Sequence, residues 1–351
     1  MTSHDLNRAF EAFAPTAEQE QAMLDRLLTE QKEVRPVNRI KKMTVVLVAA
    51  ALMLMACAFT VVTGLDQRIL SYFGGGEEQA QLVSGGVVEV EKSFRYENGW
   101  AIHIRQVLAD RYSLAVLAEV VAPEGTVLDG ENYYFELSME VASQSQGQEG
   151  VASWGYGPVI LEQGDGQDNR LTFLCTRGSQ QAEGQSLNGQ SLTLTPMWLQ
   201  ESGGRKLSVD FSEEKQSCTV QLPEEDSGMT YEVNAPIQVS GEEMTLGELY
   251  LSPISVAFSL QGEGNDSRMW GPTEMSWMEE GAVLHMADGE TVAVGRVVSQ
   301  TYDQNTGAAY CVFQTEEIVK PENVVSVTLW ILRPNERENI SASETVSFVI
   351  Q

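Results

Sequence analysis

Along this chain the period of apolar and polar positions changes twice. In residues 1–42 it is helical. Ser3 can cap a short helix that carries Leu6, Phe10 and Phe13 on one stripe. Pro15 interrupts it, and Thr16 with Gln19 forms a capping-box pattern for a second helix with Met23, Leu24, Leu27 and Leu28 on one face. Residues 43–65 then run for 23 positions without a charge. As a helix this run spans roughly 34 Å at 1.5 Å per residue, enough for the hydrocarbon core of a bilayer. "DQRILSYFGGG", from Asp66, reads as one amphipathic turn of helix and a flexible break.

From Val87 the period becomes two. Lys92 to Tyr96 and Trp100 to Arg105 flank Asn98-Gly99, a strong hairpin signal, with Trp100, Ile102 and Ile104 on one face. Similar hairpins are expected around Asp288-Gly289 and around residues 305–307, and Val324 to Leu332 reads as a buried strand. "QVLADRYSLAVLA", from Gln106, aligns without gaps with "ELYLSPISVAFSL", from Glu248, at an offset of 142 residues, matching Ser113 to Ser255 and Ala115 to Ala257. Each copy is an apolar strand, a polar or proline corner, and a second apolar strand. Together with the regular strand spacing this points to two tandem β-sandwich domains.

The organisation expected is a cytoplasmic helical hairpin over 1–42, a transmembrane helix over 43–65, and a juxtamembrane linker over 66–84. A mainly β ectodomain follows, with one sandwich over 85–222 and an immunoglobulin-like one over 223–351. "PEEDSGMTY", from Pro223, reads as the linker between them.

A cleaved signal would have a shorter apolar region, about 7 to 15 residues, with its basic residues at the very N-terminus. "LMAC", ending at Cys57, offers lipid attachment as an alternative to a retained anchor, and cleavage near Ala56 to Ala58 is another; the apolar run beyond Cys57 favours the anchor. Arg35, Arg39, Lys41 and Lys42 crowd its N-terminal flank, whereas Asp66 opens the other side. The positive-inside rule therefore puts the N-terminus in the cytoplasm and the C-terminus outside.

The first 42 residues are formally neutral, so the residues that follow carry the whole net charge of −28. A surface so acidic excludes nucleic acid as a partner and serves solubility. Titratable groups suited to catalysis are few. His4, His103 and His285 are the only histidines, which leaves neither a His-based metal cluster nor bases for a nucleophile, and His103 reads as a solvated strand residue. Ser212 to Lys215 spells Ser-x-x-Lys without the companion motifs of penicillin-recognising enzymes, and Asp165 and Asp168 lack the spacing of a calcium loop. No enzyme activity, metal or cofactor is expected. Cys175 and Cys218 could pair, leaving Cys311 over.

Short N-terminal helices, one anchor closed by "GLDQRILSYFG", and an outer strand domain followed by "LGELYLSPISVAF" resemble the membrane-bound anti-sigma factors of Gram-positive bacteria, whose outer domains are of unknown function. The resemblance covers nearly the whole chain. It implies that the cytoplasmic segment sequesters an extracytoplasmic-function sigma factor, that the ectodomain responds to envelope conditions, and that a site-1 or intramembrane protease releases the factor. The docking surface it implies is Leu6, Phe10, Phe13, Met23, Leu24, Leu27 and Leu28. The cytoplasmic segment has no cysteine, so the hairpin would lack the zinc site of many such domains. The alternative is a cell-surface binding or adhesion module, anchored by the same helix, that takes cell-wall glycan or peptide.

Overall fold

The computed structural model describes residues 65–128, 132–142, 151–155, 158–163, 169–179, 186–201, 207–239, 242–262, 282–303, 308–331 and 344–350. Across them the two-residue period becomes four antiparallel sheets, and the protein is mainly β. Sheet one has the order β1 (Val87–Arg95), β2 (Ala101–Ala109), β3 (Ser113–Val121), β7 (Arg170–Gly178), β6 (Val159–Gln163). Sheet two joins β10 (Cys218–Gln221), β8 (Ser191–Glu201) and β4 (Tyr133–Val141), with β9 (Ser208–Asp210) also on β8. Sheet three runs β11 (Met229–Val239), β12 (Glu242–Leu251), β13 (Ser255–Gln261), β17 (Ala308–Gln314), β16 (Arg296–Asp303), β5 (Val151–Gly155). Sheet four is β15 (Thr291–Val294), β14 (Ala282–Met286), β18 (Val324–Ile331), β19 (Glu344–Val349).

Two of the expected hairpins form where the turn residues put them; β16 and β17 pair as the third requires, its turn residues 305–307 lying outside the described residues. Gly99 takes φ +84° between β1 and β2, and Gly289 takes φ +89° between β14 and β15, conformations that a residue without Cβ adopts at little cost. Alternation then sends one side of each sheet inward. Ile102, Ile104, Val116 and Phe173 of sheet one share a core with Phe135, Leu194 and Leu199 of sheet two. Leu249, Val256, Phe258 and Phe313 of sheet three share a second core with Leu284, Val327 and Leu329 of sheet four. Each such side chain contributes about 1.5–3 kcal/mol by leaving water.

Strand β3 is buried along nearly its whole length, and β13 over most of its own. One set of alternate residues faces the inner core. The other set belongs to two further clusters, one holding Leu108, Ala115 and Leu117 and one holding Tyr112, Tyr250 and Ala257. Sheets one and three are therefore covered on both faces, which accounts for strands that read as continuous apolar runs.

Two findings differ from the sequence reading. Residues 66–84, expected as a linker with a flexible break, form α1 (Gln67–Tyr72) and α2 (Glu77–Val83), with Ile69, Leu70, Ala80 and Val83 buried. Leu65, the last position of the expected span, is fully buried in protein, in the same cluster as Leu108 and Leu174. Strand β5 is the second difference. It lies between β4 and β6 in sequence yet pairs with β16 in sheet three, so a segment of the first sequence half completes a sheet of the second.

Among the described residues no helix is long and apolar enough to cross a membrane; the span expected over 43–65 lies outside them except for Leu65.

Candidate functional site

The candidate site is the junction where α1 meets the outer faces of sheets one and three. Asp66 caps α1, its Oδ1 accepting from the Arg68 amide at 2.9 Å, while its own amide donates to Gln106 Oε1 on β2 at 2.9 Å. The helix is thereby pinned to the strand it crosses. The apolar positions that a membrane-proximal helix could turn to lipid are buried instead: Leu65, Ile69, Leu70 and Phe73 pack with Leu108, Ala115, Leu117 and Leu174 from sheet one and with Ile254 and Ile318 from the second sequence half. Tyr72 Oη donates to Gln314 Oε1 at 3.3 Å, and Lys320 Nζ to Glu78 Oε1 at 2.9 Å. A segment of fewer than twenty residues thus touches both halves.

Charge reinforces the seat. Glu119, on β3, accepts from Arg68 Nη1 at 2.6 Å and from Arg105 Nη2 at 2.7 Å, and Arg170 Nη1 lies 3.6 Å away. Its side chain is only 4% exposed, so one carboxylate gathers three guanidinium groups at the edge of the apolar cluster. Burial pushes the Glu119 carboxyl up, but the hydrogen bonds from Arg105 and Arg68 outweigh it and hold it below the usual carboxylate range. Hydrogen bonding to Asp66 first, with Glu119 behind it, holds the Arg68 guanidinium protonated despite burial.

The two halves meet beside this seat at a buried carboxylate. Asp110, 2% exposed, directly follows β2. Its Oδ1 accepts from the amides of Tyr112 at 2.8 Å and Ser113 at 2.6 Å, and its Oδ2 from Ser252 Oγ at 2.5 Å and Ser255 Oγ at 2.6 Å. Burial raises the Asp110 carboxyl above its ordinary value, and these four donors pull it back without cancelling that rise. Alongside, Tyr112 and Tyr250 meet edge to face at 4.9 Å between ring centres, the Arg111 guanidinium lies 5.1 Å from the Tyr112 ring, and Tyr250 Oη donates to Asp226 Oδ1 at 2.6 Å. A cleft lined in part by Tyr112, Glu248 and Tyr310 has about 10 Å³ of room, the space of one water.

The arrangement is mechanical in character: it fixes a helix and two sheets to one another. Among the described residues no group of three or more His, Cys, Asp or Glu side chains could hold a metal ion. His103 Nδ1 is 2.7 Å from Ser93 Oγ and His285 Nε2 is 2.9 Å from Thr328 Oγ1, each on its own sheet. Ser212 Oγ donates to Asp210, and Lys215 takes a left-handed turn position, so Ser-x-x-Lys here closes a surface turn. Cys175, Cys218 and Cys311 are free thiols. Leu6, Phe10, Phe13, Met23, Leu24, Leu27, Leu28, Arg35, Arg39, Lys41 and Lys42 lie outside the described residues, as do Asp165 and Asp168.

Sequence reasoning matched Ser113 with Ser255 but missed that the two corners face each other, and it missed Glu119 and Arg68 altogether. One further signal was available, since Gly86 and Gly228 stand at the same 142-residue offset. Both are close-approach positions: a Cβ on Gly86 would strike the Ala109 carbonyl, and one on Gly228 the Tyr250 ring.

No protein-family model matches the chain, and no curated protein matches it. Among solved structures, it is similar to one titled the crystal structure of the conserved domain protein from Bacillus anthracis, with 10% identity and a TM-score of 0.48 over 76% of this chain and 92% of that one.

Proposed function

We propose that this chain is a single-pass membrane anti-sigma factor. Residues 43–64 cross the bilayer, the N-terminus lies in the cytoplasm, and the sheets stand outside as two tandem immunoglobulin-like sandwiches. The observation that carries the reading is the seat of residues 65–83: the first residues beyond the apolar run are built into the contact between the two sequence halves rather than hung from it as a tether. An exterior joined to its anchor in this way passes any change in its own packing to the point where the chain meets the membrane. A detachable ligand-binding head would require no such joint.

Inside, the two amphipathic helices fold on an extracytoplasmic-function sigma factor, bury Leu6, Phe10, Phe13, Met23, Leu24, Leu27 and Leu28 against it, and occlude the surface it offers to polymerase. Outside, the seat shields the peptide bonds of residues 65–83 from a site-1 protease as long as the junction is closed.

The test uses the full-length chain in cells. Affinity purification with and without Phe10→Asp and Leu27→Asp, read together with transcription from sigma-dependent promoters, should show the natural chain recovering a sigma factor, and both substitutions releasing it and raising transcription. Recovery of no sigma factor with unchanged transcription would overturn the reading in favour of a cell-surface binding module.

A further inference from the structure

We propose that the face joining the two sequence halves is a self-complementary docking surface whose partner is a second copy of itself: the halves meet as the two members of a pseudo-twofold dimer, with Asp110 and Ser252 in equivalent places. This goes beyond the regulatory reading and does not depend on it.

Four observations carry it. The first is topological. Sheet one, β1-β2-β3-β7-β6, has the order of sheet three, β11-β12-β13-β17-β16, and β4-β8-β10 has that of β14-β18-β19. Both opening strands also carry a bulge with one left-handed residue, Glu91 at φ +44° in β1 and Asn234 at φ +47° in β11.

The second is the corner itself. Asp110 accepts from the amides two and three residues on, and Ser252 Oγ does the same, from Ile254 N at 3.1 Å and Ser255 N at 2.9 Å. The amide of each corner residue donates to the carbonyl three residues on, Asp110 to Ser113 and Ser252 to Ser255, at 2.9 Å in both. Ser179 N reaches Tyr112 O at 2.7 Å where Thr315 N reaches Ile254 O at 3.0 Å.

The third is reciprocity, the mark of an isologous interface, in which residue i of one half meets j of the other and j meets i. At the offset of 142, Leu108 matches Tyr250 and Tyr112 matches Ile254. Leu108 shares one cluster with Ile254, and Tyr250 shares the other with Tyr112. The two clusters are the same contact made twice, on either side of the Asp110–Ser252 hydrogen bond.

The fourth is the place where the symmetry fails. Ser255 Oγ donates to Asp110, whereas the matching Ser113 Oγ is buried without a hydrogen-bond partner. Its missing acceptor is the carboxylate that position 252 would carry if it were aspartate. The α1 seat shows the same specialisation. Leu117, which packs in the α1 cluster, matches Ser259 of the second half, and Leu174, its partner on the next strand, holds the place of Tyr310, the strand partner of Ser259. The second half thus presents a polar surface where the first seats its helix.

The experiment is an exchange in the full-length chain. Asp110→Ser and Ser252→Asp are made singly and together, and melting temperature is measured. Each single substitution should lower it by about 5 °C or more, one by removing the shared acceptor and the other by burying a second carboxylate beside the first. The exchanged pair should recover at least half of that loss, because the carboxylate moved to position 252 can accept from Ile254 N, Ser255 N, Ser113 Oγ and the hydroxyl introduced at position 110. In the natural chain Ser255→Ala should destabilise and Ser113→Ala should be silent; in the exchanged chain the two should trade places. An exchanged pair no better than the worse single change overturns the proposal, as does a chain indifferent to both single changes. Where a single variant yields no folded protein, a folded exchanged pair supports the proposal and an unfolded one overturns it.

Discussion

Ser252 Oγ donates to Asp110 Oδ2 at 2.5 Å across the junction between the two halves of the chain, joining residues 142 positions apart in a place closed to water. The bond has no surface salt bridge's tolerance for loss. Asp110→Ala leaves two hydroxyls and two amides without their acceptor, at a cost of about 1–3 kcal/mol for each group that stays buried and unpaired. Chemical denaturation of the protein should show a fall of at least 3 kcal/mol, on the order of two such groups.

Asp110 also gives the junction a pH dependence of definite sign. Its carboxyl is raised in the folded state above the ordinary 3.8. A group raised in this way contributes stability that is complete below its unfolded value and is lost as pH climbs through the folded one. Measured against Asp110→Asn from pH 3.5 upward, the natural protein should lose melting temperature with rising pH while the amide variant does not share that loss.

Glu119 works in the opposite sense. Its carboxyl lies below the ordinary 4.5, held there against burial by Arg105 and Arg68, so its contribution is present above that value and disappears as pH falls through the folded one. Glu119→Gln should weaken the hold on α1 at neutral pH and flatten the acid limb of the stability profile. Limited proteolysis should cut residues 65–83 faster in this variant than in the natural protein.

Leu70 and Phe73 are fully buried where α1 crosses sheet one. Leu70→Ala should cost about 2–5 kcal/mol and Phe73→Ala about 3–5 kcal/mol. If the proposed function holds, either change should raise sigma-dependent transcription without touching the cytoplasmic helices; a stability loss with no change in transcription would separate packing from signalling.

The three described thiols should differ in reactivity. Cys175 and Cys311 are buried, and burial pushes the Cys311 thiol up to about 12, whereas Cys218 is only half-buried. Alkylation of the folded protein, followed by mass spectrometry, should mark Cys218 ahead of Cys175 and Cys311, which wait for denaturant.

The local features of the fold were legible in the sequence because they are decided locally. Asn98-Gly99 and Asp288-Gly289 sit where alternating runs reverse, and the hairpins form there. The α1 seat was not legible, because Leu65, Ile69, Leu70 and Phe73 form the same apolar stripe whether it faces lipid or protein. Asp110 looked like an ordinary turn residue, since capping its own corner uses only Oδ1 and the partners of Oδ2 lie in the other half. Glu119 stood in an apolar strand with nothing nearby in sequence to announce Arg68. The internal repeat revealed that the halves are alike but carried no sign that they meet.

Strand β5 sets a limit on how this protein can be divided. A truncation that begins at the apparent linker near Pro223 would remove β5 and lay bare the outer edge of β16, with its unanswered amides and carbonyls open to any passing strand. The complementary fragment would carry β5 with no sheet to receive it. The two look-alike halves are therefore not interchangeable beads, and a cut at the visible seam yields two incomplete, sticky pieces.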